Sequence, residues 1–273
     1  MLPTRLTGLA LHHSGPPETE ILMTKMMWRQ ALRVSIGLGL VAAAALAVPA
    51  SAQAQITRVS SSASDHHQAV GVTFGRFFVK GYDSRADGDV LVADLDSLAF
   101  DIHDFNGPTI NGEYIFGFGD YLEAGFSAGY YKESVHSVYA QSVNANGSEI
   151  EQKLKLSVVP LTATVRFLPI GHASVEPYVG AGIGAFHWHY SESGEFVDFD
   201  DVIFRANYDA DGTAWGPVIV GGVRFPFGDM WDVGGEVKYQ WAEGDTKPAE
   251  SGLLGHKIDL GGLNAAVTFH FRF

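Results

Sequence analysis

The chain has 273 residues, 31 acidic against 18 Lys and Arg side chains, a net charge of −13, 46% hydrophobic residues, 32 glycines and no cysteine. An acidic chain without basic runs excludes nucleic acid as a partner, because that affinity rests on Lys and Arg neutralising phosphates. The missing cysteines exclude a disulfide framework, a thiolate metal site and a cysteine nucleophile, and the length suits one large all-β domain as well as two smaller ones.

Arg29 and Arg33 precede an uncharged run over 34–48, followed by Pro49-Ala50-Ser51-Ala52-Gln53-Ala54 with two small-x-small sites. This resembles a secretory signal peptide; the run falls short of the roughly 20 apolar residues of a membrane helix. Cleavage is expected after Ala52 or Ala54. The prelude before the charged region is long, so Met23, Met26 and Met27 are alternative translation starts.

From Val70 onward the pattern has period two, with aromatic and β-branched residues on one parity and Gly, Ser, Thr or charge on the other, as in strands between two environments. Eight strands are predicted, over 70–80, 110–118, 121–132, 154–167, 175–190, 214–225, 231–241 and 257–273. The last shows the alternation best, with Leu263, Ala265, Val267, Phe269, Phe271 and Phe273 on one face and Asn264, Ala266, Thr268, His270 and Arg272 on the other. Short turns are predicted at 119–120, 168–174 and 226–230, and long loops at 81–109, 133–153, 191–213 and 242–256. Short and long connections therefore sit at opposite ends. At about 3.3 Å per residue and roughly 40° tilt, the ten-position advances from Trp215 to Phe225 and from Trp231 to Trp241 span about 25 Å, the height of a transmembrane apolar band. Trp215, Phe225, Trp231, Tyr239 and Trp241 then read as aromatic girdles at the two interfaces.

With the ending Val267-Thr268-Phe269-His270-Phe271-Arg272-Phe273, these features resemble the small bacterial outer-membrane β-barrel family, which includes OmpW-like proteins, the OmpA transmembrane domain and opacity-type surface antigens. The resemblance implies an all-β fold, a closed antiparallel transmembrane β-barrel of about eight strands in the outer membrane, with short periplasmic turns and long extracellular loops. It implies an N-terminal extension and signal peptide at 1–54, a short periplasmic segment at 55–69 and the barrel at 70–273. Phe269, Phe271 and Phe273 match the terminal-Phe signal read by the outer-membrane assembly machinery, and the implied surroundings are outer-membrane lipid and lipopolysaccharide. The chain stops at the last strand, so a peptidoglycan-binding domain is not expected.

An eight-stranded barrel leaves little lumen. The inward parity carries Glu113, Glu123, Arg166, Glu176, Arg224, Asp232, Glu236, Lys238, His270 and Arg272, of both signs, which should pair to offset desolvation. A repeat, Val165-Arg166-Phe167, Val223-Arg224-Phe225 and Phe271-Arg272-Phe273, sets Arg inward and Phe outward at three strand ends facing Glu123, Glu176 and Asp232. The expectation is an acid–base ring near the periplasmic mouth within a lumen largely filled by paired charges.

Other motifs point to less. Gly180-Ala181-Gly182-Ile183-Gly184 lies within a strand, without the helix and downstream acid of a dinucleotide loop, and reads as room for neighbouring aromatics. His187 and His189 share a face but lack a third ligand, so no metal site is expected there. His189-Tyr190-Ser191 is similar to the His-x-Ser element of lipid A deacylase, yet Glu192 stands where that family has Asn, and only Glu195 or Asp198 offers an orienting acid. The 191–213 segment holds Glu192, Glu195, Asp198, Asp200, Asp201, Asp209 and Asp211 against Arg205, where divalent cations are expected to bridge to lipopolysaccharide phosphates. The resulting reading is a non-enzymatic barrel without a cofactor and with a structural or surface-interaction role. The alternatives are a narrow channel for small or hydrophobic solutes, a soluble exported lipocalin-like barrel, and a lipid A deacylase-like esterase.

Overall fold

The computed structural model describes residues 68–198 and 200–273. The extension and signal peptide expected at 1–54, and most of the segment expected at 55–69, lie outside the described residues.

Eight antiparallel strands close into a ring: β1 (Gln68–Val79), β3 (Gly107–Phe118), β4 (Leu122–Val143), β5 (Glu149–Phe167), β6 (Glu176–Val197), β7 (Ile203–Phe227), β8 (Trp231–Gln240) and β11 (Gly262–Arg272). Each pairs with its neighbour in this order, and β1 pairs with β11 to complete the circle. Closure satisfies every ladder and leaves no edge in lipid, which is why strands can cross a bilayer only as a cylinder. The other elements lie at the end away from the short turns: helix α1 (Val90–Asp94), a two-residue strand β2 (Leu98–Ala99) laid along β4, and a small ribbon of β9 (Glu243–Asp245) and β10 (Lys257–Asp259) flanking a helical turn α2 (Pro248–Ser251).

Two sequence expectations are corrected here. The segments 133–153 and 191–213 are not long loops: β4 to β7 run on beyond the membrane band and reverse in tight turns, one closed by Asn144 and Ser148 with Gly147 at φ 81°, the other built on Asp198, whose carboxylate accepts from the backbone amides of Asp200 and Val202. Their outward residues turn from apolar to polar midway, so the apolar signal fades although the ladder continues. The predicted strand 257–273 is broken, because residues 257–259 pair with β9 rather than with the barrel.

The short-turn half is inside out relative to a soluble protein. Outward residues such as Trp215, Ile183 and Val165 are 68%, 60% and 60% exposed, while charges are buried within. This overturns the soluble lipocalin-like alternative, since an apolar belt of this extent is stable only against lipid. In the opposite half the polarity is conventional. Leu154, Leu156, Val158, Phe186, Trp188, Tyr190 and Val218 point inward and meet Val90, Leu91, Ile102 and Phe105 of the 80–106 connection and Leu253, Ile258 and Leu260 of the 241–261 connection. Each buried Leu, Ile or Phe contributes roughly 1.5–3 kcal/mol, so both connections are held as part of a core.

Candidate functional site

The barrel interior has two storeys. In the lower one, alternation on seven of the eight strands, β3 to β8 and β11, aims charged side chains inward, and the charges pair. His270 Nε2 lies 3.2 Å from Glu113, which takes a two-pronged bond from Arg166. Arg166 reaches Glu236 at 3.3 Å, and the Tyr178 hydroxyl donates to the same Glu236 oxygen at 2.8 Å. The Tyr178 ring is sandwiched between the Arg166 and Arg224 guanidinium carbons, 5.0 and 5.1 Å from its centroid. Arg224 donates to Glu123 at 2.7 Å and faces Glu176 at 3.7 Å; Arg272 binds Glu176 and, at 2.8 Å, Asp232; and Asp232 returns to His270 Nδ1 at 2.7 Å. The ion pairs form one chain from Glu236 to Glu123, and Tyr178, bonded to Glu236 and stacked on Arg224, joins its two ends. Lys238 adds a cation on Glu236 at 3.5 Å and a bond to Ser127. Room for the Tyr178 ring comes from Gly222, where a Cβ would stand 2.6 Å from the Tyr178 hydroxyl oxygen.

Every inward charge named from the sequence is in this circuit or one contact from it. Charge pairing of this density offsets the cost of removing ions from water only when both signs are in place. The ion pairs of this circuit are confined to the lower storey, and the upper storey is largely apolar. The outward aromatics Trp215, Phe225 and Trp231 are exposed, whereas Tyr239 and Trp241 are half-buried against each other at 4.4 Å. Of the terminal phenylalanines, Phe269 and Phe273 are exposed and Phe271 stacks between Trp231 and Phe273.

The upper storey is organised by residues the sequence reading did not single out. Asp89 is fully buried, caps α1 through the amides of Leu91 and Val92, and takes two bonds from Arg85 at 2.7 and 3.0 Å and one from the Asp259 amide at 2.6 Å. Arg85 also donates to the Asp259 carbonyl, and Lys80 holds the Asp259 carboxylate at 2.9 Å, so both connections are tied to one carboxylate cluster. The signal for α1 was present, an Asp before Val-Leu-Val, but too short to read as a helix. At the far end of α1, Asp94 is buried beside Glu192, and the Tyr190 hydroxyl donates to Asp94 at 2.9 Å. Burial, with the nearby Glu192 charge, pushes the Asp94 carboxyl up to about 9, and burial raises Glu192 to about 7.

The remaining motifs are dispersed. His187 bonds Thr213 at 3.2 Å, and both histidines face outward. Among the described residues no hydrogen bond joins His189 to Ser191. Glu195 is taken by Arg205 and Asn144, and Asp198 by its own turn, so neither stands as an orienting acid behind a His-Ser pair. The 191–213 carboxylates are distributed along two strands and a turn, with Glu192 turned inward, and no group of three or more His, Asp or Glu among the described residues is arranged to hold a metal. Gly180, Gly182 and Gly184 lie in β6, and a Cβ on Gly184 would meet the Phe186 ring at 2.6 Å.

A closed eight-stranded cylinder with an outward apolar belt, aromatic ends and an ion-paired interior defines a small transmembrane β-barrel. The family model for outer membrane protein beta-barrel domains matches residues 40–271, and the chain belongs to that family. Its location is the bacterial outer membrane. No curated protein matches the chain by sequence. Similar solved structures include the outer membrane protein OprG from Pseudomonas aeruginosa, 13% identical with a TM-score of 0.45 over 76% of this chain and 96% of that one. Neisserial surface protein A is 11% identical with a TM-score of 0.42 over 76% and 97%, and a major outer membrane protein from Thermus thermophilus is 12% identical with a TM-score of 0.41 over 76% and 100%.

Proposed function

We propose that the chain is a non-enzymatic, non-conducting barrel whose work is done at the cell surface by the extended rim of β4 to β7. The observation that carries this reading is the filling of the interior on both storeys: an ion-pair circuit completed through Tyr178 below, and an apolar core completed by α1 and the 241–261 connection above. An ion crossing the lower storey would have to displace bonds that compensate buried charge, and a hydrated ion entering the upper one would leave its water against Phe186, Trp188 and Leu91. A rigid plug of this kind turns the barrel into a pedestal. The expected result in planar bilayers is no unitary conductance in neutral buffered salt. Reproducible single-channel steps, or uptake of a small solute into liposomes carrying the purified protein, would replace this reading with the narrow-channel one.

A further inference from the structure

The outward face of β4 and β5 changes character abruptly above the apolar belt. On β4 the outward parity runs Leu122, Phe126, Tyr130 and then Lys132, Ser134 and His136; on β5 it runs Phe167, Val165, Leu161 and then Ser157, Lys155 and Lys153. The register sets Lys132 opposite Ser157, Ser134 opposite Lys155 and His136 opposite Lys153. On the far side of β5, Ser157 is opposite His189, Lys155 opposite Ser191 and Lys153 opposite Ser193. Three lysines, two histidines and several hydroxyls thus share one patch a few residues across. Lys132, His136 and Lys153 are exposed and Lys155 is half-buried.

Three other lysines are neutralised: Lys80 meets Asp259 at 2.9 Å, Lys238 meets Glu236 at 3.5 Å and Lys257 meets Glu243 at 2.8 Å, while among the described residues Lys247 stands alone on the 241–261 connection. Among the described residues, Lys132, Lys153 and Lys155 form no ion pair. Carboxylates border the patch without pairing with its lysines: Glu133 has the inward parity, Glu151 is one outward position above Lys153, and on β7 Asp209 and Asp211 are opposite Ser191 and His189, one strand further from the lysines. In a chain of net charge −13, three neighbouring lysines without an ion pair at this height call for an external anion.

We propose that this patch docks the phosphorylated glycolipid of the outer leaflet, lipopolysaccharide, through the phosphates of its lipid A headgroup. The belt fixes the level, since acyl chains packed against Phe126, Tyr130, Leu161 and Val165 place a headgroup at the first polar rows above them. Ammonium groups on flexible stems reach phosphate as point charges, and the serine hydroxyls supply neutral donors. Above the patch a polar groove of about 500 Å³, walled in part by His136, Lys153, Ser193 and Glu195, offers space for sugar.

The test compares bis-phosphorylated lipid A with lipid A stripped of both phosphates, each added to the protein in bicelles, with the heat-induced mobility transition as readout. Wild type is expected to be stabilised by the phosphorylated lipid only. The combined variant Lys132→Gln, Lys153→Gln, Lys155→Gln should need at least tenfold more lipid for the same shift, while Lys247→Gln, on the 241–261 connection, should behave as wild type. Equal stabilisation by the stripped lipid, or an unaltered response of the triple variant, would overturn the proposal. Should the triple variant fail to fold, an otherwise cysteine-free Ser134→Cys protein carrying an environment-sensitive fluorophore keeps all three lysines: a spectral change with phosphorylated but not stripped lipid A supports the site, and identical spectra refute it.

Discussion

At the residue scale the lower storey depends on reciprocity. Arg224 is 1% exposed, donates to Glu123, faces Glu176 and covers one side of Tyr178. Arg224→Ala would leave Glu123 buried without its cation, while Glu176 keeps Arg272, and breaking one partner of such a pair costs about 3–5 kcal/mol. The expected outcome is a fall of that size in unfolding free energy in urea, measured in lipid vesicles, with native migration retained at low temperature. Tyr178→Phe is a milder probe. The ring and its two guanidinium contacts persist while the bond to Glu236 is lost, so about 1–2 kcal/mol is expected from the same titration. Equal losses for the two variants would mean that the Tyr178–Glu236 bond supports this storey as much as the Arg224 pairing does.

At the element scale the question is what holds α1 inside the mouth. A five-residue helix has no stability of its own, so its position comes from Val90 and Leu91 in the core and from the Asp89 cluster. Asp89→Ala removes the cap, both Arg85 bonds and the tie to Asp259. Protease cleavage confined to 80–106 and 241–261, with an intact barrel, is expected. The acid pair at the other end makes docking pH-dependent. Asp94 and Glu192 are raised above the roughly 3.9 and 4.3 of free carboxyls, so the docked form holds more protons than the undocked form from about pH 4 up to about 9. Docking is therefore strongest at the acid end and weakens progressively as pH rises from about 4 to about 9, most steeply below about 7 where both carboxyls contribute. Protection factors of the α1 amides, which divide out the intrinsic base-catalysed rate, should fall over that window, and Asp94→Asn should flatten the dependence. None of this was legible from periodicity. The ladder below the girdles was, because Trp215 to Phe225 and Trp231 to Tyr239 alternate against a uniform lipid. Above Tyr130 and Trp215 the outer face is water, the alternation weakens to polar against apolar of modest contrast, and strands read as loops. Arg166, Arg224 and Arg272 could be placed from their Val-Arg-Phe and Phe-Arg-Phe settings, whereas Asp89 and Asp94 acquire meaning only through contacts more than ninety residues away in sequence.

At the scale of the whole molecule, two folding logics are stacked on one set of strands. The lower half is held by lipid outside and ion pairs inside; the upper half is a water-soluble core whose wall happens to be β4 to β7 and whose filling comes from two connections. The halves should therefore be separable. Replacing residues 82–104 by a short Gly-Ser linker removes Val90, Leu91 and Ile102 but touches no member of the circuit around Tyr178. The expected product inserts and closes, since every barrel ladder remains, and presents an apolar funnel lined by Leu154, Phe186 and Trp188 to the medium. A hydrophobic dye should bind this variant and not the parent, with fluorescence transfer from Trp188, while bilayer conductance stays at baseline because the ion-paired ring still bars the way. Open-channel steps in the linker variant would place the barrier in the upper plug instead, and the circuit below would then be a wall lining rather than a stopper.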